Sequence, residues 1–219
     1  MAQKIDAISS SVRAISLLLI LDVISAECCR NIKLQLNGKD NTGYENLLRI
    51  VPRDGWLARP PSNQPLPLNL PVSLVVIIPT QTEGCDTQAL CTYTVRFIQT
   101  FNIESTRYDD IIYNFLIGGD GNVYEGLGWD HKGALMKGHN GNSISVAYIG
   151  TFKTQPPSAN QMNATKLLLN EGVRLGKLAD DYEIIAANKI EPTSASTSAD
   201  ALYSSFKGWP HWLEAAKPT

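Results

Sequence analysis

Residues 113–125 read Tyr113-Asn114-Phe115-Leu116-Ile117-Gly118-Gly119-Asp120-Gly121-Asn122-Val123-Tyr124-Glu125. Two short runs rich in aromatic and β-branched residues flank a glycine-rich segment, and Asp-Gly between such runs is a strong signal for a β-hairpin. The sequence therefore predicts two antiparallel strands joined by a tight turn.

Before the hairpin, the chain predicts a buried strand and a helix. Leu74-Val75-Val76-Ile77-Ile78 is a continuous run bounded by two prolines, which is typical of a central strand buried on both faces. Asp86 is a suitable N-cap for the helix that follows. Apolar residues at helical spacing predict that one face of this helix covers the sheet: Leu90, Phe97, Ile98 and Phe101.

After the hairpin, residues 143–150 predict another buried strand. Ser158 with Gln161 three residues later forms a capping box, so a helix is expected from there to a point near Gly176. A last helix is expected over about residues 200–206. Strands alternating with helices indicate an α/β domain with a central mixed sheet packed by about three helices.

Length and charge limit the number of domains and the class of partner. The 219 residues, 43% of them hydrophobic, suffice for one sizeable core. A net charge of -2, a pI near 5.9 and the absence of a basic run argue against a nucleic-acid partner. We expect a possible signal peptide over residues 1–26, an extension over residues 27–50 and one domain over residues 51–215.

The N-terminal segment has the layout of a secretory signal. Lys4 and Arg13 precede an apolar stretch over residues 14–26 that ends in small residues, although Asp22 weakens the pattern. The stretch is shorter than the roughly 20 residues that a transmembrane helix needs. The sequence therefore predicts an exported chain, either secreted or the ectodomain of a membrane receptor.

Four cysteines fall into two close pairs, which allow three pairings. The adjacent Cys28 and Cys29 would form a strained bridge, whereas Cys85 and Cys91 are six residues apart and suit a link between a loop and the start of a helix. We predict the Cys85–Cys91 disulfide. The alternative is that all four thiols are reduced, as in a cytosolic protein.

Residues 110–126, from Asp110-Ile111-Ile112-Tyr113 to Tyr124-Glu125-Gly126, closely resemble the D-I-x-Y-N-F-L-x-G-x-D-G-x-V-Y-E-G signature of peptidoglycan recognition proteins (PGRPs). The similarity spans about three quarters of the chain and is greatest to the ectodomains of insect PGRP-LC-type receptors and their non-catalytic relatives. Other family landmarks lie around the signature: Gly55-Trp56, Gly128-Trp129, Gly133-Ala134, Asn140, Ile149-Gly150, Leu202-Tyr203 and Trp209-Pro210-His211-Trp212. The resemblance implies a single PGRP/type 2 amidase-like domain.

Catalytic members of that family are zinc amidases that cleave between N-acetylmuramic acid and L-alanine, with two His and one Cys on the metal. In this chain the three matching positions are Ile78, Ala187 and Ala195, and none of these side chains has a lone pair for a metal. The resemblance therefore implies no metal, no cofactor and no catalytic residue, even though Tyr113 matches the catalytic tyrosine. Ligand contact and simple packing remain alternative roles for Tyr113.

The resemblance also implies a groove for peptidoglycan, with Thr80, Tyr113 and Asn140 as the retained positions. Relatives that favour diaminopimelate-type stem peptides carry a Gly-Trp pair and an arginine, where this chain has the pair Arg107-Tyr108 and Leu127. The family's groove histidine is Leu135. We include Arg107 and Tyr108 among the expected ligand-binding residues.

The segment between Thr193 and Leu202 is about two residues longer than the family pattern requires. An extra turn there would narrow the groove, and the alternative is a bulge into solvent. Three functions are compatible with these features. The first is a co-receptor that recognises a partner PGRP loaded with muropeptide, more often of the diaminopimelate type, through an interface including Arg107, Leu135 and residues 194–200. The second is a direct peptidoglycan receptor, and the third, least favoured, is an amidase.

Overall fold

The computed structural model describes residues 47–136, 138–193 and 197–215. The expected signal peptide, Cys28, Cys29, Ala195 and most of the expected extension lie outside these ranges. Within the described residues, no helix is both long and apolar enough to cross a bilayer.

Within the ranges that the structure describes, seven strands form one sheet in the order β1-β4-β3-β5-β2-β6-β7. Each adjacent pair is parallel except the hairpin pair β3 and β4. The strands are β1 (Ile50–Val51), β2 (Val72–Pro79), β3 (Phe115–Ile117), β4 (Val123–Glu125), β5 (Ser143–Tyr148), β6 (Leu178–Ala186) and β7 (Trp212–Leu213). The predicted mixed sheet and the predicted hairpin are thus confirmed.

In the described residues, the α-helices beside the sheet are α1 (Gln88–Glu104), α2 (Ala159–Arg174) and α3 (Asp200–Ser204), and a 3₁₀ helix over Ala187–Lys189 follows β6. The capping box of α2 is present, since Ser158 accepts from the Gln161 amide and the Gln161 side chain accepts from the Ser158 amide. Gly176 has a φ of 65° just after α2, which is the left-handed conformation that commonly ends a helix. Helix α3 ends at Ser204, two residues earlier than expected.

Two details of α1 differ from the prediction. Its N-cap is Thr87 and not Asp86, because the Thr87 hydroxyl accepts from the Leu90 amide at 3.3 Å. The face expected to cover the sheet is also wrong in part, because only Ile98 of the four named residues is buried. The residues of α1 that do pack inward are Cys91, Val95, Ile98, Gln99 and Asn102.

Strand β6 is absent from the sequence prediction, and it lies next to the central strand β2. Its first half carries Asp180 and Asp181, which interrupt the apolar pattern and are partly or fully exposed. A register shift between Val72 and Leu74 accompanies this half, so pairing with β2 becomes regular only from Glu183 onward. The second half is buried on both faces.

Side chains alternate across the sheet and form two apolar cores. One core packs β2 residues Val75 and Ile77 with α2 and α3. The other, here called the α1-face core, packs Val76 and Ile78 of β2 with α1. The predicted Cys85–Cys91 disulfide is present, with an S–S distance of 2.00 Å, and it joins the loop after β2 to the first turn of α1.

Candidate functional site

Ile78 is near the end of β2, and Ala187 is the first residue of the 3₁₀ helix Ala187–Lys189, which follows β6 at the same end of the sheet. Ile77 of β2 is paired with Ala186 of β6, so the two residues that follow them are next to each other on the α1-face side. Ile78 is 6% exposed and Ala187 is fully buried. Both belong to the α1-face core, which offers a metal ion only hydrocarbon at this point.

Tyr113 precedes β3 and packs into the same α1-face core, with 8% of its surface exposed. Its backbone carbonyl accepts from the Leu127 amide at 2.9 Å, which ties it to the segment after the hairpin. Burial raises the pKa of the Tyr113 phenol to about 12, and the nearby Tyr108 contributes to the rise. The phenol is therefore neutral at physiological pH and acts only as a hydrogen-bonding group.

Thr80 follows β2 and has a hydroxyl already engaged within the protein. The Gly150 amide donates to this oxygen at 3.1 Å, and Thr82 Oγ1 lies 2.8 Å from it. The Thr80 amide donates to the Tyr148 carbonyl at 2.8 Å. Thr80 thus fixes the loops after β2 and β5, which is a structural task besides any contact with a ligand.

A cavity of about 320 Å³ lies between residues 61–66, here called the arm, and the loops around the hairpin. The arm precedes β2. It brings together two predicted binding residues, Tyr108 and Asn140, with Leu127. Thr80, Tyr113 and Arg107 are not among its lining residues. The remaining lining residues are Pro61, Asn63, Gln64, Pro65, Leu66, Asp109, Asp110, Ile111, Ile112, Lys132, Gly133 and Ala134.

Asn140 is partly committed to its own loop. Its side-chain oxygen accepts from the Met136 backbone amide at 2.7 Å. The Asn140 backbone amide donates to the Met136 carbonyl at 3.0 Å. The side-chain NH₂ is the group left for a ligand, since these contacts use only the carbonyl oxygen. Tyr108 is 41% exposed at the rim of the cavity. Arg107, beside it, is exposed and has a φ of 62°.

Of the two carboxyl side chains in the cavity lining, Asp110 forms an ion pair with Arg53, whereas Asp109 is bonded to a neutral amide. Asp110 accepts from Arg53 at 2.7 Å, from the Gln99 side chain at 2.6 Å and from the Ile111 amide at 2.7 Å. Asp109 accepts from Asn63 at 2.6 Å. Within the described lining, Lys132 is the only basic residue, and it is half-buried.

The loops around the cavity depend on Asn114, which is 1% exposed. Its side-chain NH₂ donates to the Gly128 carbonyl at 2.8 Å and to the His131 carbonyl at 2.9 Å. Its side-chain oxygen accepts from the amide and hydroxyl of Ser145 on β5 at 3.0 and 3.1 Å. This buried amide holds residues 128–131 against the central sheet.

Two cavity features were not singled out from the sequence. The arm residues Asn63, Gln64 and Leu66 approach the hairpin loops through Ser62, whose amide donates to the Asp109 carbonyl at 2.8 Å. Lys132 lies in a loop with no distinctive spacing. Asn114 lies within the family signature, which gives no sign of its role in holding the loops. The partly buried Arg53–Asp110 pair has a sequence separation of 57, which leaves no local signal.

The histidines lie in separate places. His131 Nδ1 is 3.1 Å from the Leu127 carbonyl, and the His211 ring stacks on Tyr182 with centroids 4.3 Å apart. In the part of the chain that the structure describes, no group of three His, Cys, Asp or Glu side chains is arranged to hold a metal ion.

Alkaline pH is expected to destabilise the fold because several tyrosines are buried. Burial raises the pKa of Tyr113 to about 12 and also raises the pKa of Tyr124, Tyr148 and Tyr203. Unfolded phenols ionise near pH 10, so the unfolded state loses protons before the folded state does. The free energy of unfolding should therefore be unaffected by these groups below about pH 9 and fall as pH rises through about 10 to 12. Urea denaturation across this range measures it, and constant stability would contradict these pKa shifts.

Comparison with known proteins places this geometry in a family. The family model for N-acetylmuramoyl-L-alanine amidase matches residues 68–200. Peptidoglycan-recognition protein LC of Drosophila melanogaster is 52% identical over 175 residues, which are 79% of this chain and 34% of that protein. A peptidoglycan recognition protein of Bombyx mori is 38% identical over 94% of this chain and 93% of its own length. This chain thus spans about a third of the first relative and nearly all of the second.

Solved structures give the same result. The ectodomain of the Drosophila transmembrane receptor PGRP-LCa matches with a TM-score of 0.73 and 52% identity, over 75% of this chain and 99% of that one. A chain from the complex of tracheal cytotoxin with the ectodomains of PGRP-LCa and PGRP-LCx matches with a TM-score of 0.73 and 42% identity. The match covers 76% of this chain and 99% of that one. The predicted resemblance and fold are confirmed, and the chain belongs to the peptidoglycan recognition protein family.

Proposed function

We propose that this chain is a non-catalytic peptidoglycan recognition protein that senses bacteria in innate immunity, as a co-receptor for a partner PGRP loaded with muropeptide. It works outside the cell, as a secreted protein or as the ectodomain of a membrane receptor. The Cys85–Cys91 disulfide supports this location, because disulfides persist in oxidising compartments. So does the similarity to the ectodomain of a transmembrane receptor.

The observation that carries the non-catalytic part is that Ile78, Ala187 and Tyr113 are buried in the same apolar core. Hydrolysis of an amide in this fold family needs a water activated by zinc. Two of the three positions matched to zinc ligands are buried hydrocarbon, and a neutral phenol alone cannot activate water at physiological pH. Ala195, the third position, lies outside the described residues.

Zinc binding and amide cleavage test this part directly. We expect the purified chain to retain no stoichiometric zinc after dialysis and to release no peptide from muropeptide. The matched control is the triple variant Ile78→His, Ala187→His and Ala195→Cys, which restores three ligands and is expected to retain zinc. Stoichiometric zinc with cleavage by the unaltered chain would overturn the proposal.

The co-receptor part is supported by what lines the cavity. Leu127 lines the cavity at the position where relatives that favour diaminopimelate-type peptides carry an arginine. A ligand carboxylate would therefore lack a guanidinium that donates two charge-assisted hydrogen bonds. Arg107 and Tyr108 are exposed beside the cavity, where they suit contact with another protein. A solved relative is itself a complex of two PGRP ectodomains with tracheal cytotoxin.

A direct receptor is the second candidate. It is favoured by the cavity of about 320 Å³, which has room for part of a peptide and offers Lys132 and the Asn140 NH₂ as polar contacts. In that case the isolated chain binds muropeptide by itself.

The substitution Arg107→Glu tests whether Arg107 lies in an interface with the loaded partner protein. In the co-receptor reading, the charge reversal should weaken capture of a muropeptide-loaded paralogue by about tenfold or more, because a like or unpaired charge at an interface is costly. The matched control is Lys207→Glu, which reverses an exposed charge on the C-terminal segment. Surface plasmon resonance with the loaded paralogue immobilised measures both, and equal capture by the two variants would contradict the role of Arg107.

A further inference from the structure

Helix α1 carries a continuous apolar stripe on its outer surface. Leu90, Tyr93, Phe97 and Phe101 are 53%, 70%, 54% and 49% exposed. At 100° per residue, these four side chains lie within about 80° around the helix axis. The inward face, centred on Val95 and Ile98, points about 130° away from the centre of the stripe. Single exposed apolar residues are ordinary, whereas four in one row on a rigid helix mark an interaction surface.

The stripe is almost free of charge. Glu104 at its end is paired with Arg59 at 2.7 Å. Arg96 is exposed at the edge, about 100° from the centre of the stripe. Because the centre of the stripe carries no charge, the stripes of two copies can meet there without repulsion between like charges. These properties suit an isologous contact between two copies.

The exposed area is sufficient for a weak dimer. With about 200 Å² for each large side chain, the exposed fractions give roughly 450 Å² per copy. Two copies together would bury roughly 900 Å² from the stripe alone, and flanking residues such as Thr94 and Thr100 bring this to the range of about 1,000 Å² of a weak, specific interface. The three aromatic residues of the stripe also belong to a residue type that is enriched at interface centres.

We propose that the α1 stripe is a self-association surface through which two copies of this chain pair, with their α1 helices antiparallel. In this arrangement Leu90 of one copy lies beside Phe101 of the other, and the two Phe97 side chains lie near the two-fold axis. The pairing needs no muropeptide, so it is separate from the proposed co-receptor function.

A lipid surface is a poorer occupant of the stripe. Helices that lie on membranes combine an apolar face with a basic polar face, which binds anionic lipid. The exposed part of α1 contributes only Arg96, and the whole chain has a net charge of -2. Charge therefore gives no attraction to an anionic bilayer.

Sedimentation velocity of the full chain without ligand tests the proposal. We expect a reversible monomer–dimer equilibrium in the micromolar range. Phe97→Glu and Phe97→Lys should each raise the dissociation constant by about tenfold or more, because each places like charges at the two-fold axis. An equimolar mixture of the two variants should dimerise again. The matched control, Leu175→Glu, alters an exposed leucine after α2 and should dimerise like the unaltered chain.

Circular dichroism of each variant checks folding, which is expected to be unchanged because Phe97 is half exposed. A chain that stays monomeric at high micromolar concentration would overturn the proposal. A dimer unaffected by both Phe97 substitutions would overturn it as well. Monomers that bind phosphatidylcholine–phosphatidylglycerol vesicles, with loss of binding in Phe97→Glu, would show that lipid and not a second copy covers the stripe.

Discussion

Replacement of Asn114 by alanine is expected to lower the free energy of unfolding by about 4 kcal/mol. The substitution removes four side-chain hydrogen bonds to backbone and hydroxyl groups that remain buried. Each unsatisfied buried partner costs roughly 1 kcal/mol or more, since the groups cannot recover water. Because residues 128–131 lose their link to β5, the cavity should also lose its shape.

Urea denaturation followed by tryptophan fluorescence measures this change. Asn160→Ala on the exposed side of α2 is the matched control and should alter stability by less than about 0.5 kcal/mol. A decrease in the free energy of unfolding below about 1 kcal/mol in Asn114→Ala would mean that water replaces the missing amide. Asn114 would then not be the residue that holds residues 128–131 against the sheet.

Gly126→Ala is expected to be strongly destabilising, although it adds only one methyl group. A Cβ at this position would lie 2.1 Å from the Tyr113 carbonyl oxygen and 3.2 Å from that of Asn114. Both contacts are with backbone, so relief requires the hairpin to move by about 1 Å or the Tyr113 peptide to rotate. The Arg53 guanidinium, which donates to the Gly126 carbonyl at 2.7 Å, would be displaced too. We expect a loss of about 3 kcal/mol or more.

Thermal unfolding of Gly126→Ala against Gly141→Ala measures the effect. A Cβ at Gly141 meets nothing within 4 Å, so this control should be close to neutral. If the two variants melted at the same temperature, the tight packing of the hairpin against Tyr113 would be disproved, and with it the fixed position of Tyr113 in the α1-face core.

The local elements of the fold were predictable because local chemistry decides them. The hairpin follows from Asp120-Gly121 between apolar runs, and α2 begins where the Ser158 capping box requires. The continuous run of β2 indicated a strand covered on both faces, which the two cores explain. Strand β6 was missed because Asp180 and Asp181 break its pattern at an irregular pairing with β2.

The buried face of α1 could not be predicted from hydrophobicity, because polar residues and a disulfide decide it. Gln99 exchanges two hydrogen bonds with the Arg59 backbone and donates to Asp110. Asn102 accepts from the Ile112 amide, and Cys91 is bonded to Cys85. Arg59 is 40 residues from Gln99 in the sequence, and polar partners of this kind leave no trace in an apolar pattern. The aromatic residues, which a hydrophobic pattern places inside, are left outside.

The site was predicted in part. The family resemblance named Tyr108 and Asn140, which line one cavity, and Ile78, Ala187 and Tyr113, which share one core. Thr80 and Arg107 are outside the cavity lining. Ligand binding stays a prediction for all five named residues: Thr80, Arg107, Tyr108, Tyr113 and Asn140. The arm residues and Lys132 were missed, since only the tertiary fold brings them to the hairpin.

The most direct test of the co-receptor role is isothermal titration of this chain with a monomeric diaminopimelate-type muropeptide, alone and with a paralogous PGRP domain that binds it. We predict no measurable heat from the chain and muropeptide alone, and a binding signal when the loaded paralogue is present. Micromolar or tighter binding of the muropeptide by the chain alone would contradict this account and identify a direct receptor.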